Sequence, residues 1–171
     1  RDRQELGTVH LRLPGLFNVR NAMAAVAVGL ELGHEFSVLA DACSQFTGVA
    51  RRFHLRGERA GVTVVDDYAH HPTEIEAVLE ATRQALPGRR IVAVFQPHLY
   101  SRTREFAGDF ARALLAADVA VVLPIYPARE EPLEGVSSQL IVEEAIRLAH
   151  PRVLAGRSVG EALRQLEDLL E

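Results

Sequence analysis

The chain has 171 residues, 48% of them apolar, with a net charge of −4 and a mean hydropathy of +0.04. That is enough apolar material for one full core, which excludes general disorder, and the acidic balance gives no global attraction for nucleic acid. No apolar run approaches the roughly 18–20 residues of a membrane span, so no membrane partner is expected. The opening RDRQELG lacks the apolar centre of a secretory signal. The single cysteine, Cys43, cannot form an internal disulfide, which fits a reducing cytoplasm. All 19 basic residues are arginine. With no lysine present, Schiff-base chemistry, a phosphate-cradling P-loop lysine and a lysine carbamate are all ruled out.

In chain order, residues 7–13 (GTVHLRL) alternate apolar and polar positions, the pattern of a half-buried strand. Pro14-Gly15 interrupts, and Asn18 is placed to cap a helix running to Leu32 and stopped by Gly33. Because NVRNAMAAVAVGLEL is apolar nearly all round, that helix is expected to be buried. A second short helix follows from Ser37, its expected cap, to Phe46. Next come FHLRGER and GVTVVDD, two strands joined by a tight turn at Ala60-Gly61. The second is apolar throughout, as in a strand covered on both faces. Thr73-x-x-Glu76 reads as a capping box for a helix that stops at Pro87-Gly88. IVAVFQ, a helix over SRTREFAGDFARALLAA, and VAVVLP follow. Then come a helix over 138–149, a short strand near 152–154 and a closing helix capped by Ser158-x-x-Glu161.

Strands alternating with helices of this length predict an α/β fold, a Rossmann-like, mainly parallel sheet flanked by helices. We place a boundary near residues 48–51. Residues 1–48 hold too little to close a core and read as the tail of a preceding domain, and residues 49–171 as the α/β domain proper.

Ligands of open parallel sheets collect where the strands end. Three strand ends are rich in reactive side chains: Asp66 to Glu74, Gln96 to Arg104, and Tyr126 to Pro132. Adjacent histidines such as His70-His71 point in different directions along an extended segment, so they suit substrate orientation or helix capping better than shared metal ligation. Arg102 falls in the first turn of its helix, where a bare cation opposes the helix dipole. It and the free N–H groups of that turn are candidates to receive a carboxylate or phosphate. Arg51 and Arg52, in the linker, invite the same reading. No G-x-G-x-x-G follows any expected strand, which argues against a dinucleotide-dependent oxidoreductase. An alternative reading, a stand-alone nucleotide- or amino-acid-binding module without catalysis, stays open on these patterns alone.

Several strings, in order over essentially the whole chain, resemble the Mur ligase family. GLFNVRNAMAA resembles the family's G-x-HN-x-x-N-x-x-AA segment of the central ATPase domain, and GVARRF its interdomain arginine segment. VVDDYAHHPTE, FQPHLYSRT and YPAREEPLEGV resemble the alanine-adding branch. The resemblance implies a three-domain cytoplasmic enzyme of peptidoglycan precursor synthesis. Such an enzyme joins L-alanine to UDP-N-acetylmuramate with ATP, through an acyl phosphate. Carried over position by position, Asn18, Asn21, Arg52 and Asp67 match ATP-contacting residues, and Tyr68, His70 and Arg102 match residues around the incoming L-alanine. The resemblance puts the P-loop and the ligands of a Mg2+ or Mn2+ ion upstream, in parts not present, so no metal ligand is assigned here and this chain alone is expected to be inactive. Two positions depart from the pattern: Phe17 stands where histidine is frequent, and Leu99 where arginine is frequent in the alanine-adding branch.

Overall fold

The computed structural model describes residues 5–170; the first four residues of the expected 1–48 block and Glu171 at the end of the 49–171 block lie outside the described residues. Two helices come first, α1 (Leu16–Glu31) and α2 (Phe36–Gln45). A hairpin of β1 (His54–Arg59) and β2 (Val62–Asp66) follows. The rest alternates: α3 (Pro72–Ala85), β3 (Val92–Phe95), α4 (Tyr100–Leu114), β4 (Val119–Val122), α5 (Gln139–Arg147), β5 (Val153–Ala155) and α6 (Val159–Leu170).

The expected parallel sheet is present as β3-β4-β5, with both neighbouring pairs parallel. All four residues of β4 are buried, because alternate side chains go to opposite faces and both faces are covered. Ala120 and Val122 join Ile75 and Leu79 of α3, Phe110 and Leu114 of α4, and Ile141 of α5 in one cluster. Val119 and Val121 pack on the other side against Ala162 and Leu169 of α6. Ser158 accepts from the Glu161 N–H at 3.1 Å and Glu161 from the Arg157 N–H at 3.0 Å, so the closing helix starts where its sequence says. The β1–β2 turn also forms as expected: Ala60 (φ 49) and Gly61 (φ 75) both adopt the left-handed backbone that a two-residue hairpin turn needs.

Several expectations fail for identifiable reasons. Residues 7–13 form no strand: no described strand lies alongside to complete the ladder that alternation alone cannot supply. The first helix starts at Leu16 after Gly15. Asn18, already inside it, donates from Nδ2 to the Pro14 carbonyl at 2.7 Å instead of capping. Nor is this helix buried; Gly29 alone of its residues is, and Met23 is 66% exposed. It packs against α2, where Leu39 lies so close to Gly29 that a Cβ there would meet it at 2.5 Å. The second helix begins one residue before Ser37, with Glu35 at its N-cap. The second hairpin strand is half-open: β2 pairs with β1 alone, antiparallel, and Val64 is 52% exposed.

The start of α3 differs in register. Its N-cap is His71, not Thr73, with Pro72 at the first helical position. The His71 ring accepts from the Thr73 N–H at 3.4 Å, while Glu74 accepts from the His71 N–H at 3.1 Å. A capping box is therefore present two residues upstream of the one expected from Thr73 and Glu76.

Candidate functional site

The segment after β2 fixes the site's backbone. Asp67 accepts from the N–H of Phe53 at 2.7 Å with one oxygen and from the N–H of Ala69 at 2.8 Å with the other. It thereby ties the linker to the hairpin exit. The Tyr68 N–H donates to the Arg51 carbonyl at 2.8 Å, and the Arg51 guanidinium lies 4.6 Å from the Tyr68 ring centre, a cation–π contact. Arg51 reaches it from a left-handed backbone, φ 60.

From there a row of rings runs across the strand ends. Tyr68 and His70 meet edge-on at 5.0 Å, His70 and His98 lie 6.3 Å apart, and His98 stacks on Tyr126 at 5.5 Å. His98 and Tyr126 form an isolated parallel bridge that prolongs the β3–β4 pairing beyond the strands. The His70 Nδ1–H donates to the Tyr68 carbonyl at 2.9 Å, which fixes the proton on that nitrogen. Arg102 reaches the His70 carbonyl from Nη1 at 3.5 Å. Burial of the ring, reinforced by the positive charges of Arg102 and His70, holds His98 below the usual histidine value, with Glu130 opposing. A neutral imidazole is the form such surroundings favour.

The Ser101 N–H at the start of α4 is not free, contrary to the expectation for that turn. Glu130, from the loop after β4, accepts from the Ser101 N–H at 2.9 Å and from the Ser101 hydroxyl. Those bonds lead the influences that hold its carboxyl below the usual range.

A second feature lies on the other side of Asp67. Asn18, Asn21, Arg52 and Asp67 all line one cavity of about 1000 Å³ between the helical pair and α3. Leu13, Phe17, Val26, Phe46 and Ala77 make much of its wall apolar, and Cys43 also lines it. Glu74 joins the two features. It lines the cavity, yet accepts from the His70 N–H at 2.9 Å and sits 3.5 Å from the His70 ring nitrogen. Burial alone would raise its pKa; the backbone donors of His70 and His71 and the charges of His70 and Arg52 outweigh it and hold the carboxyl below its usual value.

The structure thus gathers the expected site residues into two neighbouring groups, Asn18, Asn21, Arg52 and Asp67 on the cavity and Tyr68, His70 and Arg102 on the rim. His71 stands apart as a helix cap. Glu74, His98, Tyr126 and Glu130 belong to the arrangement without having been singled out, although all four lie in the strand-end strings that drew attention. Among the described residues no three His, Cys, Asp or Glu side chains gather in a way that could hold a metal ion.

A parallel sheet whose strand ends carry an arginine and stacked rings, beside a cavity lined by amide, carboxylate and guanidinium groups, is the frame of a ligand-binding α/β domain. The chain belongs to the Mur ligase family, whose glutamate ligase domain matches residues 51–171. It is 53% identical over 150 residues to the UDP-N-acetylmuramate–L-alanine ligase of Salinibacter ruber, covering 88% of this chain and 32% of that protein. Against the ligase of the same name from Desulfosudis oleivorans it is 49% identical over 168 residues, 98% of this chain and 37% of that one. The crystal structure of UDP-N-acetylmuramate–alanine ligase from Thermotoga maritima superposes with a TM-score of 0.68 at 27% identity, covering 94% of this chain and 39% of that one. The chain spans about a third of the length of the curated relatives it matches. No helix among the described residues is long and apolar enough to cross a membrane.

Proposed function

We propose that the chain is the carboxy-terminal part of a cytoplasmic, ATP-dependent ligase that joins L-alanine to UDP-N-acetylmuramate. In this reading residues 1–48 are the tail of the central ATP-binding domain and residues 49–171 the domain that brings the amino acid. The observation that carries it is the partition of the site: four residues with nucleotide-type chemistry share one cavity, and three with amino-acid-type chemistry share the adjoining rim.

The cavity fits a nucleotide chemically. Its apolar wall suits a purine ring, the amides of Asn18 and Asn21 suit a base edge, and Arg52 suits a phosphate. Asp67 suits a ribose hydroxyl, although both of its oxygens already hold backbone N–H groups. A divalent ion such as Mg2+ or Mn2+ finds no cluster of ligands among the described residues.

On the rim the Arg102 guanidinium takes the L-alanine carboxylate through paired hydrogen bonds and leaves the amine free. Tyr68 and His70 wall the place where the small side chain sits. Amide formation needs that amine against an acyl phosphate of the muramoyl substrate, so the work of this domain is orientation and exclusion of water. The chain alone, with half of each site, is expected to catalyse no ligation.

Cys43 offers the test. It is the one cysteine of the chain and lines the cavity. ATP is expected to slow its alkylation by a maleimide, whereas L-alanine is not. Equal labelling with and without saturating ATP overturns the nucleotide reading of the cavity.

A further inference from the structure

The start of α4 lacks a cap of its own. Leu99, at the N-cap, has φ 73 and ψ 136 and makes no side-chain hydrogen bond to the helix. An uncapped helix leaves its first N–H groups unsatisfied, and a backbone in the left-handed region is costly for a leucine. Buried Thr103 ties the turn from below, donating to the Leu99 carbonyl from its hydroxyl at 2.8 Å and from its N–H at 3.1 Å. The donors above are met from elsewhere. Glu130, 29 residues on, accepts from both the N–H and the hydroxyl of Ser101 and lies within the influence of the Tyr100 N–H.

A carboxylate at this end of a helix complements the dipole, whereas the Arg102 cation in the same turn opposes it. Glu130 therefore offsets the local disadvantage of placing Arg102 there, and the Arg102 charge is among the influences that lower the Glu130 pKa. Because Glu130 occupies the Ser101 N–H, the guanidinium becomes the principal receptor left in this turn for a ligand carboxylate.

We infer that Glu130 is a positioning residue for amino-acid capture, holding the first turn of α4 so that Arg102 presents its guanidinium to the incoming carboxylate. This rests on the reading of Arg102 as the carboxylate receptor. It extends that reading to the loop after β4, whose conformation becomes part of the amino-acid site without touching the amino acid.

The test has two arms. In this chain, Glu130→Ala is expected to speed amide hydrogen exchange at Tyr100 and Ser101 while leaving β4 amides unchanged. In the complete ligase, Glu130→Ala is expected to raise the KM for L-alanine about five- to tenfold, the effect of losing a charged helix cap, with kcat and the KM for ATP within about twofold. Glu130→Gln, which keeps one acceptor but no charge, and Ser101→Ala, which removes only the hydroxyl, are expected to fall between and serve if the alanine variant folds poorly. An Arg102→Ala enzyme with an unmoved L-alanine KM overturns the reading of Arg102 itself, and this inference with it. If Arg102→Ala raises that KM but Glu130→Ala and Glu130→Gln do not, or raise both KM values alike, the role of Glu130 alone is overturned. Unaccelerated exchange at Ser101 does the same.

Discussion

The two ends of this molecule are built from similarly apolar segments and end in opposite states. In the sheet, four consecutive apolar residues of β4 are buried because helices cover both faces. In α1, a longer apolar run leaves Leu16, Met23 and Val28 more than half exposed, because α2 packs against only part of it. Apolar sequence thus specifies a surface that is to be covered, and the covering element must be supplied separately. The open half also forms one wall of the cavity of about 1000 Å³, so sparsely covered apolar surface borders space for a ligand.

Substitutions can sharpen or break this contrast. The largest effect is expected from Phe110→Ala in the closed core, where Phe110 is 0% exposed and touches the rings of Phe95 and Phe106. It should cost about 3–5 kcal/mol in urea unfolding. A cost under about 1 kcal/mol would mean that the core is loosely packed. A smaller effect belongs to the junction. Glu74 has its pKa lowered in the folded chain, so the folded state binds fewer protons than the unfolded one. Its contribution is present above its ordinary value of 4.5 and is lost as the pH falls through the lowered folded value. Glu74→Gln is expected to lower the midpoint of thermal unfolding at neutral pH and to flatten the acid limb of the stability profile; an unchanged acid limb would remove Glu74 from the junction. The least effect is expected from Met23→Ala on the open face, within about 0.5 kcal/mol. A loss comparable to that of Phe110→Ala would show that the face is covered in solution.

The same contrast governs what could be read from the residues in advance. The alternation of strands and helices from Val92 onward, the Ala60-Gly61 turn and the Ser158 cap rest on short-range rules, and each formed as its local sequence dictates. Residues 7–13 failed because a strand needs a neighbour that no local pattern reveals. Helix capping was among the roles read for the adjacent histidines, but the capping box was placed two residues late, at Thr73; Pro72, suited to the first helical position, was the signal that pointed to His71. The cavity residues were grouped through family resemblance rather than through any spacing rule. The contact from Glu130 to Ser101 spans 29 residues and leaves no mark in either neighbourhood. Only Arg102, a cation at the wrong pole of its helix, hinted that a distant partner was needed.

Asp67 and Tyr68 are neighbours just beyond β2, and one lines the cavity while the other joins the row of rings. Their side chains serve different features, so this dipeptide acts as a partition between two compartments. A single residue inserted between them is expected to pull the tyrosine out of the row of rings and disturb both sides at once. Length at this point is therefore held more strictly than composition, and a natural variant could exchange either side chain far more easily than it could tolerate an insertion.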